Sequence, residues 1–122
     1  MTGKQTWAIP EGYIPEESTG PEPEMISHES VCILNATDED ATIEITVYFT
    51  DREPVGPYEE TVPAERTKHI WYNELEEPEE LPKGEDFASV IEADVPVVCQ
   101  HTRLDSRQAE NAWLSTIAYS SD

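Results

Sequence analysis

Apolar and polar side chains alternate most cleanly from Ala41 to Thr50. Ala41, Ile43, Ile45, Val47 and Phe49 fall on one side; Thr42, Glu44, Thr46, Tyr48 and Thr50 fall on the other. A period of two with this many β-branched residues predicts a strand with one wet face. Val31-Cys32-Ile33-Leu34-Asn35 is a shorter apolar run, as expected of a buried strand. The acidic stretch Thr37-Asp38-Glu39-Asp40 between them reads as a turn, so the two strands are expected to pair as an antiparallel hairpin. Further strands are predicted over 6–9, 58–62, 66–72, 87–93, 97–103 and 113–119. Pro63-Ala64-Glu65 and Asp94-Val95-Pro96 supply turns. Pro10, Pro15, Pro21 and Pro23 exclude a regular helix or central strand from 10–29, which reads as a loop. The acid- and proline-rich stretch 73–86 reads the same way. Asp105, with Gln108 three positions on, predicts at most about one turn of helix over 105–111. About eight short strands with turn chemistry between them indicate an all-β fold: an antiparallel, jelly-roll-like β-sandwich forming a single domain over residues 1–122.

Composition narrows the function. The chain carries 27 acidic and 7 basic residues, a formal net charge of −20. Binding nucleic acid requires Lys and Arg to replace the counterions along the phosphates, so direct nucleic-acid binding is not expected. Such a surface suits basic partners, including the positively charged cytoplasmic loops of membrane proteins, or serves solubility alone. The N-terminus has no apolar signal-peptide core and no apolar run reaches membrane-spanning length, so a cytoplasmic location is expected. Cys32 and Cys99 lie within apolar runs and are expected to be free thiols filling core space.

No nucleotide-binding glycine loop, nucleophile elbow or metal-type cysteine pair is present, and no catalytic residue, cofactor or metal is expected. Three local features carry polar chemistry. His28, His69 and His101 each fall in or beside a predicted strand. If they converge they could hold zinc, as in a metal-dependent enzyme; otherwise they are three separate polar or half-buried histidines. Arg66, Lys68 and His69 share one predicted strand, while His101, Arg103 and Arg107 sit near the end of another. Were these strands neighbours, the scarce positive charge would form one patch for a carboxylate, a phosphate or a polyhydroxylated ligand. Alternatively the arginines pair with nearby acids or bridge subunits. Finally, Gln100-His101-Thr102-Arg103-Leu104-Asp105-Ser106-Arg107-Gln108 leaves an apolar run and presents successive donors and acceptors, as at the mouth of a sandwich where a site is built.

A resemblance runs through these segments. Trp7-Ala8-Ile9, Glu11-Gly12-Tyr13-Ile14-Pro15, Gly20-Pro21-Glu22-Pro23, Ser27-His28-Glu29 and Asp38-Glu39-Asp40-Ala41 carry its first half. Glu53-Pro54-Val55-Gly56-Pro57-Tyr58, Arg66-Thr67-Lys68-His69, Asp86-Phe87-Ala88-Ser89-Val90-Ile91, the stretch from Gln100 to Asn111, and Leu114-Ser115-Thr116-Ile117-Ala118-Tyr119 carry the rest. In these the chain resembles the Anabaena sensory rhodopsin transducer family over nearly its full length. The resemblance implies a β-sandwich-like homotetramer that works by binding, without enzymatic activity. The implied partners are a membrane photoreceptor, the sensory rhodopsin, and a small-molecule ligand such as a sugar or related metabolite. It implies ligand-binding roles for Glu11, His28, Glu29, Asn35, His69, Gln100, His101, Arg103, Asp105 and Arg107. The competing expectation is an adaptor that grips basic cytoplasmic loops of a membrane receptor through its acidic surface.

Overall fold

The computed structural model describes residues 2–16, 27–105 and 112–120. Eight strands form: β1 (Lys4–Tyr13), β2 (His28–Asn35), β3 (Ala41–Phe49), β4 (Val55–Val62), β5 (Arg66–Trp71), β6 (Asp86–Asp105), β7 (Ala112–Ile117) and β8 (Tyr119–Ser120). A 3₁₀ turn, Tyr72–Glu74, follows β5. All pairings are antiparallel, and together the strands make one eight-stranded sheet. No helix among the described residues is long and apolar enough to cross a membrane. The helical turn expected over 105–111 falls largely outside the described residues.

The all-β, antiparallel architecture is as expected, and the 20-residue strand β6 organises it. Its first half pairs with β3 on one side and β1 on the other. Its second half pairs with β2 and β7. The result is two layers, β4–β3–β6–β1–β8 and β5–β2–β6–β7, which share one strand. Val31, Ile33, Ile43, Ile45, Val47, Ile91 and Val97 are fully buried in the core common to both. Cys99 belongs to that core, and burial pushes its thiol up to about 12. Cys32 is half-buried, and both cysteines are free.

Two sequence expectations fail here. The turn at Asp94-Val95-Pro96 does not end a strand; it lies inside β6. Ladder pairing with β3 stops at Ala93 and pairing with β2 starts at Val98, so Pro96 occupies a stretch where neither ladder needs its missing N–H. Likewise β2 and β3 do not form a hairpin. β2 pairs with β5 and β6, whereas β3 pairs with β4 and β6. Residues 36–40 therefore cross between layers, as do residues 63–65 from β4 to β5. The two crossings are tied together: Glu65 N–H donates to the Thr37 carbonyl (3.0 Å) and Ala64 N–H to Asp40 Oδ1 (2.9 Å).

At its far end β1 runs on through Pro10 to Tyr13, further than expected. Pro10 falls in a one-residue bulge between Ile9 and Gly12, beyond the two residues that β8 pairs. Gly12 then packs close to the Phe87 ring, where a Cβ would come 2.4 Å from the nearest ring carbon.

Candidate functional site

In the β5–β2–β6–β7 layer, residues facing each other across the ladder share a face. Glu29 is opposite Arg103, Val31 opposite His101 and Ile33 opposite Cys99. Since Val31, Ile33 and Cys99 face the core, so do Glu29, His101 and Arg103, at the end where the core gives way to solvent. Glu29 is fully buried. A buried carboxylate is tolerable only when its oxygens are filled by donors, and four meet here. Tyr13 N–H donates to Oε2 at 2.5 Å, and Arg103 donates to the same oxygen from Nε (2.9 Å) and Nη2 (2.7 Å). His101 Nε2 lies 2.8 Å from Oε1; an ionised carboxylate only accepts, so the imidazole donates. The Tyr13 contact reaches across from the other layer, which makes Glu29 an interlayer bolt.

Local structure sets each partner in place. The Glu29 N–H donates to Asn73 Oδ1 (3.2 Å), and Asn73 Nδ2 donates to the Ser27 carbonyl (3.0 Å), so the 3₁₀ turn fixes the start of β2. The β1 bulge brings Glu11 to Arg103 Nη2 at 2.6 Å. Glu11 is 65 % exposed and Arg103 16 %. Burial alone would lower the Arg103 pKa, but the hydrogen bonds and charges of Glu29 and Glu11 outweigh it and hold the guanidinium above its ordinary value. Beside these groups opens a pocket of about 290 Å³ lined by Glu11, His101, Arg103, Ser115 and Thr116.

The structure thus brings together Glu11, Glu29, His101 and Arg103 from the expected set, and places His28, Asn35, His69 and Gln100 elsewhere. His28 stacks flat on Trp71 (ring centroids 3.7 Å apart). His69 and Gln100 lie opposite Cys32 in the ladder, on the outer face, and both are exposed. The three histidines do not converge, and no group of three or more metal-ligating side chains occurs among the described residues. Asn35 is fully buried at the other end of β2. Its Nδ2 donates to the carbonyls of Glu39, Val62 and Pro63, while Oδ1 accepts from Thr37 N and Oγ1. It fastens the two crossings.

Among the described residues the single cationic patch does not form either. β2 stands between β5 and β6, and Lys68 is engaged by Glu60 at 2.9 Å. Arg107 and the Asp105 side chain lie outside the described residues. Sequence reasoning missed Tyr13, whose contribution is a backbone N–H, and Asn73, Ser115 and Thr116. Nothing in the local pattern around those residues marks them.

The family model of the Anabaena sensory rhodopsin transducer matches residues 2–120. The chain belongs to this transducer family. Among solved structures it is similar to the Anabaena sensory rhodopsin transducer, with 64 % identity, a TM-score of 0.77, and coverage of 88 % of this chain and 93 % of that one. It is also similar to the Thermotoga maritima protein 1070, with 36 % identity, a TM-score of 0.89, and coverage of 99 % and 97 %. No curated protein matches the chain. The expected family is therefore the one found.

Proposed function

We propose that this protein relays a signal by binding, without catalysis, and that the pocket beside Arg103 is where a small polar ligand is recognised. The observation that carries the reading is the Glu29 cluster. A fully buried carboxylate orients an arginine and a histidine on the wall of a pocket, while the arginine's other carboxylate partner, Glu11, is exposed and exchangeable. Preoriented donors of this kind suit hydroxyl, carboxylate or phosphate groups, so sugars and related metabolites are the first compounds to try. By similarity to the Anabaena sensory rhodopsin transducer, a membrane photoreceptor is the upstream partner, and the site of action is cytoplasmic. A homotetrameric assembly belongs to the same reading. Direct binding to nucleic acid is not part of it, because the net charge of −20 opposes contact with phosphates.

The test is a thermal-shift screen with sugars, sugar acids and phosphates. A ligand at about 100 times its Kd raises stability by about 2.7 kcal/mol. The shift should disappear in Arg103→Lys, which keeps the charge but loses the planar fork. A panel that leaves the wild-type melting temperature unmoved removes the ligand from this reading.

One feature favours a receptor contact through the acidic surface. Glu59, Glu44 and Glu92 stand directly side by side across β4, β3 and β6. Like charges in such a row repel one another, and a basic loop would relieve that repulsion. Receptor capture should then weaken sharply between low and high salt. Equal capture at both would exclude the electrostatic contact.

A further inference from the structure

Glu29 neutralises Arg103 from inside the fold and Glu11 meets it from outside, and the two contacts are unequal. Glu29 is fully buried and accepts from Arg103 Nε (2.9 Å) and Nη2 (2.7 Å). Glu11 is 65 % exposed and accepts from Nη2 alone, at 2.6 Å. Arg103 Nη1 has no partner among the described residues. A guanidinium holds a carboxylate best through two parallel N–H bonds. Glu11 makes half of that arrangement.

Glu11 and Arg103 both line the 290 Å³ pocket, so whatever reaches Nη2 from the pocket must exchange with Glu11. A hydroxyl exchanges poorly, because it replaces a charge-assisted bond with a neutral one roughly half as strong. A phosphate exchanges at a cost. It brings a charge of roughly −1.5 to −2 where one carboxylate stood. That charge would sit close to buried Glu29, in a chain whose net charge is already −20. A small carboxylate swaps one negative charge for one and adds the Nη1 bond that Glu11 leaves unmade. The released Glu11 side chain, already mostly exposed, passes into water. His101, held through Nε2 by Glu29, stands on the same wall for a hydroxyl next to the acid group.

We propose that the pocket takes a small monocarboxylic acid, seated on Arg103 Nη1 and Nη2, and that Glu11 is its built-in competitor, displaced each time the acid binds. This rests on the reading of the pocket as a ligand site and narrows it from polar compounds at large to one class. With Glu11 on Arg103 the site is closed, and apparent affinity falls with the fraction of molecules that are open. Releasing an exposed pair of this kind should raise affinity roughly two- to sixfold.

The experiment is titration calorimetry at neutral pH and fixed ionic strength with two matched series. One is glucuronate, glucose and glucose 6-phosphate; the other is glycerate, glycerol and glycerol 3-phosphate. The proteins are wild type, Glu11→Gln, Glu11→Asp and Arg103→Lys, each confirmed as folded by circular dichroism. In at least one series the acid should bind wild type more tightly than its neutral and phosphorylated counterparts. Glu11→Gln should bind that acid roughly two- to sixfold more tightly. Glu11→Asp keeps the charge but shortens the reach, and should also bind it more tightly. Arg103→Lys should lose it. Tightening in Glu11→Gln without any in Glu11→Asp means repulsion at a distance, and overturns the exchange. So does an acid whose affinity is unchanged in both Glu11 variants, or a preference for the neutral or phosphorylated compound. In these cases loss of binding in Arg103→Lys still upholds the pocket. If neither acid binds, the inference falls, whereas the pocket reading falls only if the whole thermal-shift panel is inert as well.

Discussion

Glu29 and Asn35 stand near opposite ends of β2, on the same inward face, and both are fully buried. Both belong to the polar motifs that suggest ligand binding. Their surroundings differ in kind. Asn35 is satisfied mainly by main-chain carbonyls and N–H groups from the two layer crossings, and every one of its contacts is local to that knot. Glu29 is satisfied mainly by side chains, and these side chains form the wall of a pocket. A buried neutral amide saturated by backbone is a structural fastener. A buried charge whose partners face solvent orients those partners, and that is what a recognition site needs.

Swapping the chemistry of each residue at constant shape sharpens the contrast. The four groups around Glu29 are all donors, so Glu29→Gln sets an NH₂ against donors and leaves Arg103 without its buried counter-charge. The expected loss is about 3–5 kcal/mol, measured by denaturant unfolding. Asn35→Asp does the converse, setting a carboxylate against three carbonyls. Its cost should be somewhat smaller, about 3 kcal/mol at neutral pH, because the crossings can relax toward solvent. That loss should shrink toward acid pH, since burial raises the pKa of the new carboxyl and its protonated form is the one the fold tolerates. Ligand recognition should survive in Asn35 variants that remain folded.

Arg103→Lys keeps the charge near Glu29 but not the two-nitrogen fork, and should lose roughly 1–2 kcal/mol. Glu11→Gln should change stability least, by less than about 1 kcal/mol, because that ion pair is largely solvent-screened. If Glu11→Gln were as damaging as Glu29→Gln, the division into a buried orienting carboxylate and an exchangeable exposed one would be lost.

How much of this the sequence discloses depends on whether the deciding interaction is local. The alternation over 41–50 is an imprint of burial on one strand, and β3 reproduces it residue by residue. The polar run after Val97-Val98-Cys99 contains His101 and Arg103, the two side chains that meet Glu29, because a strand leaving a core changes its residue types there. Pairing partners are not local. Thr37–Asp40 has the composition of a hairpin turn, yet it is a crossing between layers, decided by contacts with residues 62–65. Pro96 looks like a strand end because its lack of an N–H is visible, while the gap in ladder pairing that accommodates it is not. Tyr13 acts through its backbone, and Ser115 and Thr116 reach the pocket only through the register of β7 on β6.

The most direct measurement is ligand-induced stabilisation in wild type, Arg103→Lys and Asn35→Ala, each at a temperature where circular dichroism shows it folded. A compound from the sugar, sugar-acid and phosphate panel should stabilise wild type and Asn35→Ala alike and leave Arg103→Lys unmoved. Equal stabilisation of all three, or a loss in Asn35→Ala matching that in Arg103→Lys, would contradict the assignment of recognition to the Glu29-oriented arginine.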